Sequence, residues 1–169
     1  YTTILFVQFV GKEVRLIDCY QNHGEGLLHY AQILQSKPYI YQSHWLPHDI
    51  EVKELGTGKT RKEILEGFGV KVDVVRKHDL ADGIQATRVL FPRLWIDEVR
   101  CEPFIQAISQ YRHEWSDKLG RFHDQPLHDW SSHFSDCARY LSMAESLITW
   151  HPSGEEINRI EQNRQKTKK

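Results

Sequence analysis

The chain has 169 residues, 40% hydrophobic, 27% charged and 11% aromatic, which suits one soluble globular domain with a full-sized core. A net charge of −1, from 22 Lys and Arg against 23 Asp and Glu, excludes a global basic field directed at nucleic acid, though not a local patch. Cys19, Cys101 and Cys137 are odd in number, far apart and form no C-x-x-C pair, which argues against a disulfide framework or zinc knuckle and for a reducing compartment. No apolar run nears the roughly 20 residues of a membrane span, and no signal peptide is visible.

Residues 3–10 (TILFVQFV) are β-branched and aromatic, and residues 13–20 (EVRLIDCY) alternate at Val14 and Leu16, less regularly at Ile17. With Gly11-Lys12 between them they predict a β-hairpin. Leu27, Leu28, Tyr30, Ala31 and Leu34 predict a helix over 26–36 that Pro38 ends. A third strand is expected over 39–45, closed by Leu46-Pro47-His48-Asp49. A helix at 60–67, a strand at 70–76 and a helix at 79–91 follow, with Asp79 as N-cap and Ile84, Arg88 and Phe91 on one face. Residues 94–96 form a short apolar bridge. Phe104, Ile108, Tyr111 and Trp115 fall at helical spacing and predict a long helix over 102–119, with 120–125 as a polar turn. A last helix is expected over 129–148, with His151-Pro152-Ser153-Gly154 closing the fold. The order is α/β with a mixed sheet, antiparallel first and crossover-connected later. Residues 1–150 read as one domain without internal repeats, and 151–169 as a polar tail, basic at its tip and flexible.

The stretch 126–140, PLHDWSSHFSDCARY, carries the densest chemistry. On a helix Asp129, His133 and Asp136 share one face at i, i+4 and i+7, beside an apolar stripe of Trp130, Phe134, Cys137, Leu141 and Ala144. Asp49 is the natural partner: it follows a strand end, where open α/β sheets bind ligands, and Pro47-His48 fix the exit. Carboxylates with one imidazole suit Mg²⁺ or Mn²⁺ and metal-assisted phosphodiester cleavage, with two ions about 3.5–4 Å apart. Plainer roles stand beside these. Asp49 fits a turn, Asp129 an N-cap backed by Ser132, and His133 a satisfied surface histidine; Asp136, mid-helix against the seam, is harder to dismiss. Arg139 is placed away from the acidic edge, in an ion pair within the fold. Gly56 to Thr60 (GTGKT) fails as a phosphate loop, because Lys53 occupies the position where glycine is required. Lys53, Lys59, Arg61 and Lys62 remain a basic loop able to touch a DNA backbone, or simply a solvated one.

Together the segments YTTILFVQF (1–9), LPHDI (46–50), DGIQATR (82–88) and PLHDWSSHFSDCARYL (126–141) resemble the C-terminal nuclease domain of tailed-bacteriophage terminase large subunits. The resemblance covers nearly all of 1–150. It implies an RNase H-like fold, a mixed β-sheet flanked by helices. It also implies a metal-dependent endonuclease that cuts concatemeric viral DNA during genome packaging in the host cytoplasm. Carried over, Asp49 and Asp136 are catalytic metal ligands for Mg²⁺ or Mn²⁺, with His133 and Asp129 near the metal. Double-stranded DNA, the terminase small subunit and the portal protein are the implied partners, and a membrane is not. One departure concerns the first strand, which in the family carries the first catalytic aspartate and lies upstream of the YTTI segment. The expectation is therefore a truncated first strand, an unpaired sheet neighbour and weak metal binding in the chain as it stands. Outside that family, the alternatives are a non-catalytic DNA- or portal-docking module and another RNase H-like nuclease such as a resolvase.

Overall fold

A computed structural model describes residues 1–145, 147 and 148. The expected tail over 151–169 and the closing turn lie outside the described residues; the last helix ends at Glu145, short of the expected 148, and Leu147 and Ile148 are not helical.

Strand β1 (Thr2–Val10) pairs antiparallel with β2 (Glu13–Asn22), from Thr2↔Asn22 to Val10↔Glu13. Gly11, at φ 62°, supplies the positive dihedral of the tight turn. A bulge between Phe6 and Val7 leaves Ile17 outside the register, which is the irregularity visible in the sequence. On β2 Val14, Leu16 and Asp18 face inward, each less than a tenth exposed. The Asp18 carboxylate is compensated by Lys37 Nζ at 2.6 Å, the Tyr39 hydroxyl at 3.2 Å and the Cys19 N–H at 2.8 Å.

Helix α1 (Leu27–Ser36) leads to β3 (His44–Pro47), which is shorter and later than expected. The preceding aromatic residues pack instead of pairing: Tyr39 and Tyr41 stack against Phe6, and the Tyr41 hydroxyl bonds the Leu34 carbonyl at 2.9 Å. Helix α2 (Arg61–Gly67) opens on a capping box, Thr60 and Glu63 each bonding the other's backbone N–H. It crosses back to β4 (Val72–Val75), parallel to β3. Helix α3 (Leu80–Leu90) has Asp79 at the N-cap position, as expected, but without a side-chain capping bond. Strand β5 (Leu94–Ile96) then adds parallel to β2.

The largest correction comes next. The expected helix over 102–119 stops at Gln110 (α4, Glu102–Gln110). An antiparallel hairpin of β6 (His113–Ser116) and β7 (Arg121–Pro126) follows. Tyr111 turns extended, and Leu119 and Gly120 close onto the Ser116 carbonyl, with Gly120 at φ 62°. Trp115 belonged to the helical stripe only by spacing: it is half exposed and meets Phe122 edge-on across the hairpin at 5.1 Å. The segment taken for a polar turn is β7. Helix α5 (Ser132–Glu145) begins three residues later than expected, and Trp130, placed in its apolar stripe, is exposed.

The strands form separate ladders: β1-β2-β5, β3-β4 and the β6-β7 hairpin. Among the described residues no ladder joins β1 to β3, so β1 is paired on one side only. The core is divided likewise. One cluster holds Leu16, Cys101, Phe104, Ala107, Phe134 and Ala138; the other holds Ala31, Ile50, Leu65, Val70 and Val72. Helix α5 spans the division. Phe134 and Ala138 sit in the first cluster, the Thr3 hydroxyl bonds the His133 carbonyl at 3.2 Å, and Tyr140 reaches the exits of β3 and β4.

Candidate active site

The site is built where β3 ends beside α5. Pro47 closes β3 in extended geometry, and residues His48–Glu51 make one 3₁₀ turn. That turn anchors itself through Ile50, which is buried in the second cluster, while the Asp49 side chain is left exposed. The His48 ring points to α5, where its Nδ1 stands 3.3 Å from the Tyr140 hydroxyl. The His78 ring, after β4, meets Tyr140 edge-on at 4.9 Å. Tyr140 is thus held between the exits of both parallel strands. Burial pushes its hydroxyl pKa up first, and the charges of Asp49 and Asp136 push it further, against Arg139. Two carboxylates far apart in sequence therefore act on one phenol.

Asp136 is half buried on α5 and accepts from Arg139 Nη2 at 2.6 Å. Arg139 does make an ion pair within the fold, but with the acidic edge rather than away from it, a correction to the sequence reading. The two residues are three apart on one helix, which brings their side chains together.

Asp129 precedes the helix and does not cap it directly. Its Oδ1 accepts the Ser131 hydroxyl at 2.5 Å and the Ser131 N–H at 2.8 Å, and Arg112 Nη1 lies 3.5 Å from its Oδ2. Those serine bonds hold its carboxyl below the usual range. His133 stacks on Tyr1 at 4.5 Å and faces His128 edge-on at 5.9 Å. Burial, then the chain's amino-terminal charge and His128, lower its pKa, while Asp136 and Asp129 pull it up. Both residues lie in the field of the edge, yet each is occupied by other neighbours.

The basic loop is more engaged than its sequence suggests. Lys53 bridges to Thr60 through the backbone, Arg61 Nε bonds Glu54 Oε1, and Lys62 lies 3.9 Å from Glu66. Lys53 and Lys59 are exposed. Sequence reasoning gave no role to Tyr140, His78, Tyr111 or Arg112. Tyr140 ended the stretch 126–140 without an assigned function; His78 had no periodic signal.

Among the described residues no three His, Cys, Asp or Glu side chains stand close enough to hold a metal ion. The donors present fit the other regime, in which Mg²⁺ is held by one or two carboxylates and completed by water and substrate phosphate. Asp49, exposed after β3, and Asp136, half buried on α5, are carboxylates of the kind that regime uses.

A hairpin running into parallel crossover strands, flanked by helices and closed by a helix bearing an acidic edge, defines an RNase H-like α/β domain. The fold matches the nuclease domain of the large terminase of bacteriophage SPP1, crystallised with bound Mn, at a TM-score of 0.62. The match covers 86% of this chain and 78% of that one at 15% identity, so the likeness is one of fold. No family model and no curated protein matches the sequence. Among the described residues no helix is long and apolar enough to cross a membrane.

Proposed function

We propose that this chain is a nuclease domain of a phage DNA-packaging terminase, a divalent-metal-dependent endodeoxyribonuclease that cuts concatemeric viral DNA. The observation that carries the reading is that the turn bearing Asp49 meets the helix bearing Asp136 through His48 and Tyr140, 3.3 Å apart, in a fold shared with a Mn-bound terminase nuclease domain. Mg²⁺ or Mn²⁺, singly or as a pair, would be held by Asp49 and Asp136, with His133 and Asp129 next to that edge. When bound, the metal supplies an activated water and neutralises the leaving oxygen. The residues themselves do the rest. The 3₁₀ turn positions Asp49, Arg139 orients Asp136, and the half-buried phenol of Tyr140 braces the two exits. The basic loop of Lys53, Lys59, Arg61 and Lys62 offers cations to the duplex backbone. The terminase small subunit and portal protein belong to the same proposal as partners.

Plasmid nicking in Mn²⁺ tests it. Asp49→Ala and Asp136→Ala should each lower the nicking rate by about 100-fold or more, on the scale of losing a charge-stabilising group. Full activity in either variant refutes the site. A second reading, a DNA- or portal-docking module without chemistry, is favoured by the lack of a three-ligand group among the described residues. Duplex binding with no nicking under any divalent ion would select it.

A further inference from the structure

Next to the acidic edge, a cavity of about 230 Å³ opens between α3, α4, α5 and the start of β6. Three guanidinium-bearing residues from different elements line it: Arg88 from α3, Arg112 before β6 and Arg139 from α5. Tyr111, His113, Thr87 and Ser135 add polar groups, Phe91 with neighbouring isoleucines forms the apolar side, and no carboxylate lines it, although Asp129 and Asp136 reach Arg112 and Arg139 from outside. The arginines are poorly satisfied. Arg139 spends Nη2 on Asp136, while its buried Nε has no hydrogen-bond partner among the described residues. Arg112 Nη1 donates to the Gln110 carbonyl at 3.0 Å and only distantly, at 3.5 Å, to Asp129. Arg88 is exposed and has no ion-pair or hydrogen-bond partner among the described residues. A buried guanidinium donor left unpaired is costly, and several convergent cations with spare donors are an anion site in waiting.

We propose that this cavity is a phosphate subsite for the backbone of nucleic acid, holding a phosphodiester beside the one to be cut. The inference rests on the nuclease reading for its location, since Arg139 joins the cavity to Asp136. The ligand class follows from the lining. Planar guanidinium forks match phosphate oxygens, and the apolar side around Phe91 suits a sugar better than a second charge. The site is distinct from the basic loop after Asp49, none of whose cations lines the cavity.

The test is fluorescence anisotropy of a labelled short duplex in EDTA, across a salt series, with Arg88→Ala, Arg112→Ala and a distant Lys12→Ala for comparison. Each arginine variant should weaken binding about 5-fold and lower the slope of log affinity against log salt by about one, whereas Lys12→Ala changes neither. Arg88 has no partner in the fold to lose, so a folding defect does not mask the result. Unchanged duplex affinity in both arginine variants overturns the proposal, as does an equal loss in Lys12→Ala. If inorganic phosphate binds and the arginine variants abolish that binding alone, the cavity takes free phosphate and the nucleic-acid assignment falls. Nicking in Mn²⁺ is scored separately. Binding loss without nicking in any form overturns the nuclease reading and leaves the subsite; nicking with unaltered binding does the reverse.

Discussion

Ser131 decides what Asp129 does. Its hydroxyl and N–H both donate to one carboxylate oxygen, which lowers the folded pKa below the ordinary value. A depressed carboxylate contributes stability that is present above its unfolded pKa of about 3.9 and is lost as pH falls through the folded value. Ser131→Ala removes the hydroxyl bond and keeps the N–H. The Asp129 pKa should rise part of the way toward normal and the acid limb of the stability curve should become shallower, both readable by NMR titration and acid unfolding. An unmoved Asp129 resonance would mean the two bonds are not what tunes it. At this scale the sequence was a poor guide to partners. Asp49, Asp136 and Arg139 were all named, but the Arg139–Asp136 pair was placed the wrong way round. Helical spacing fixes which residues share a face, not how a long flexible arginine chooses among carboxylates.

Elements were legible where one local signal dominated. The hairpin of β1 and β2 carried its glycine turn and alternation, and α2 carried its capping box. The stretch after α4 was misread because Phe104, Ile108, Tyr111 and Trp115 satisfy a helical period by coincidence. The turn signal from Ser116 to Gly120 was the stronger fact, since a tight turn needs the positive φ that Gly120 adopts. Between α3 and α5 packing reaches a limit at Gly83. A Cβ there would meet His78 Nε2 at 3.0 Å and Arg139 Cβ at 3.3 Å. Alanine in a helix ordinarily gains about 1 kcal/mol over glycine, but overpacking costs about 1–3 kcal/mol. Arg139 Cβ belongs to a rigid helix and the His78 ring is seated on Tyr140, so neither yields easily. Gly83→Ala should therefore be a net loss of about 1 kcal/mol in urea unfolding. A gain would show that the two helices move apart freely.

At the scale of the molecule the divided sheet governs behaviour. Strand β2 is paired on both sides over Val14 to Leu16, whereas β1 is paired on one. Cys137 Sγ reaches the Thr3 carbonyl at 3.7 Å, a side-chain contact rather than a continuing ladder. Hydrogen exchange along β1 should alternate, with amides facing β2 protected and the others fast; uniform protection would contradict an open edge. The resemblance could anticipate a one-sided strand, but two separate cores could not be read from periodicity, because that division is a fact of tertiary contact. Its bridge is α5, anchored at Phe134 in one core and at Tyr140 against the other. This has a consequence for biosynthesis. A chain emerging from the ribosome has every member of the second nucleus before residues 132–145 exist, whereas the first still lacks Phe134 and Ala138. The first nucleus stays open until the last described helix emerges, and Asp136 arrives only with that helix. The order of translation thus delays assembly of the acidic edge until nearly all of the described chain has been made.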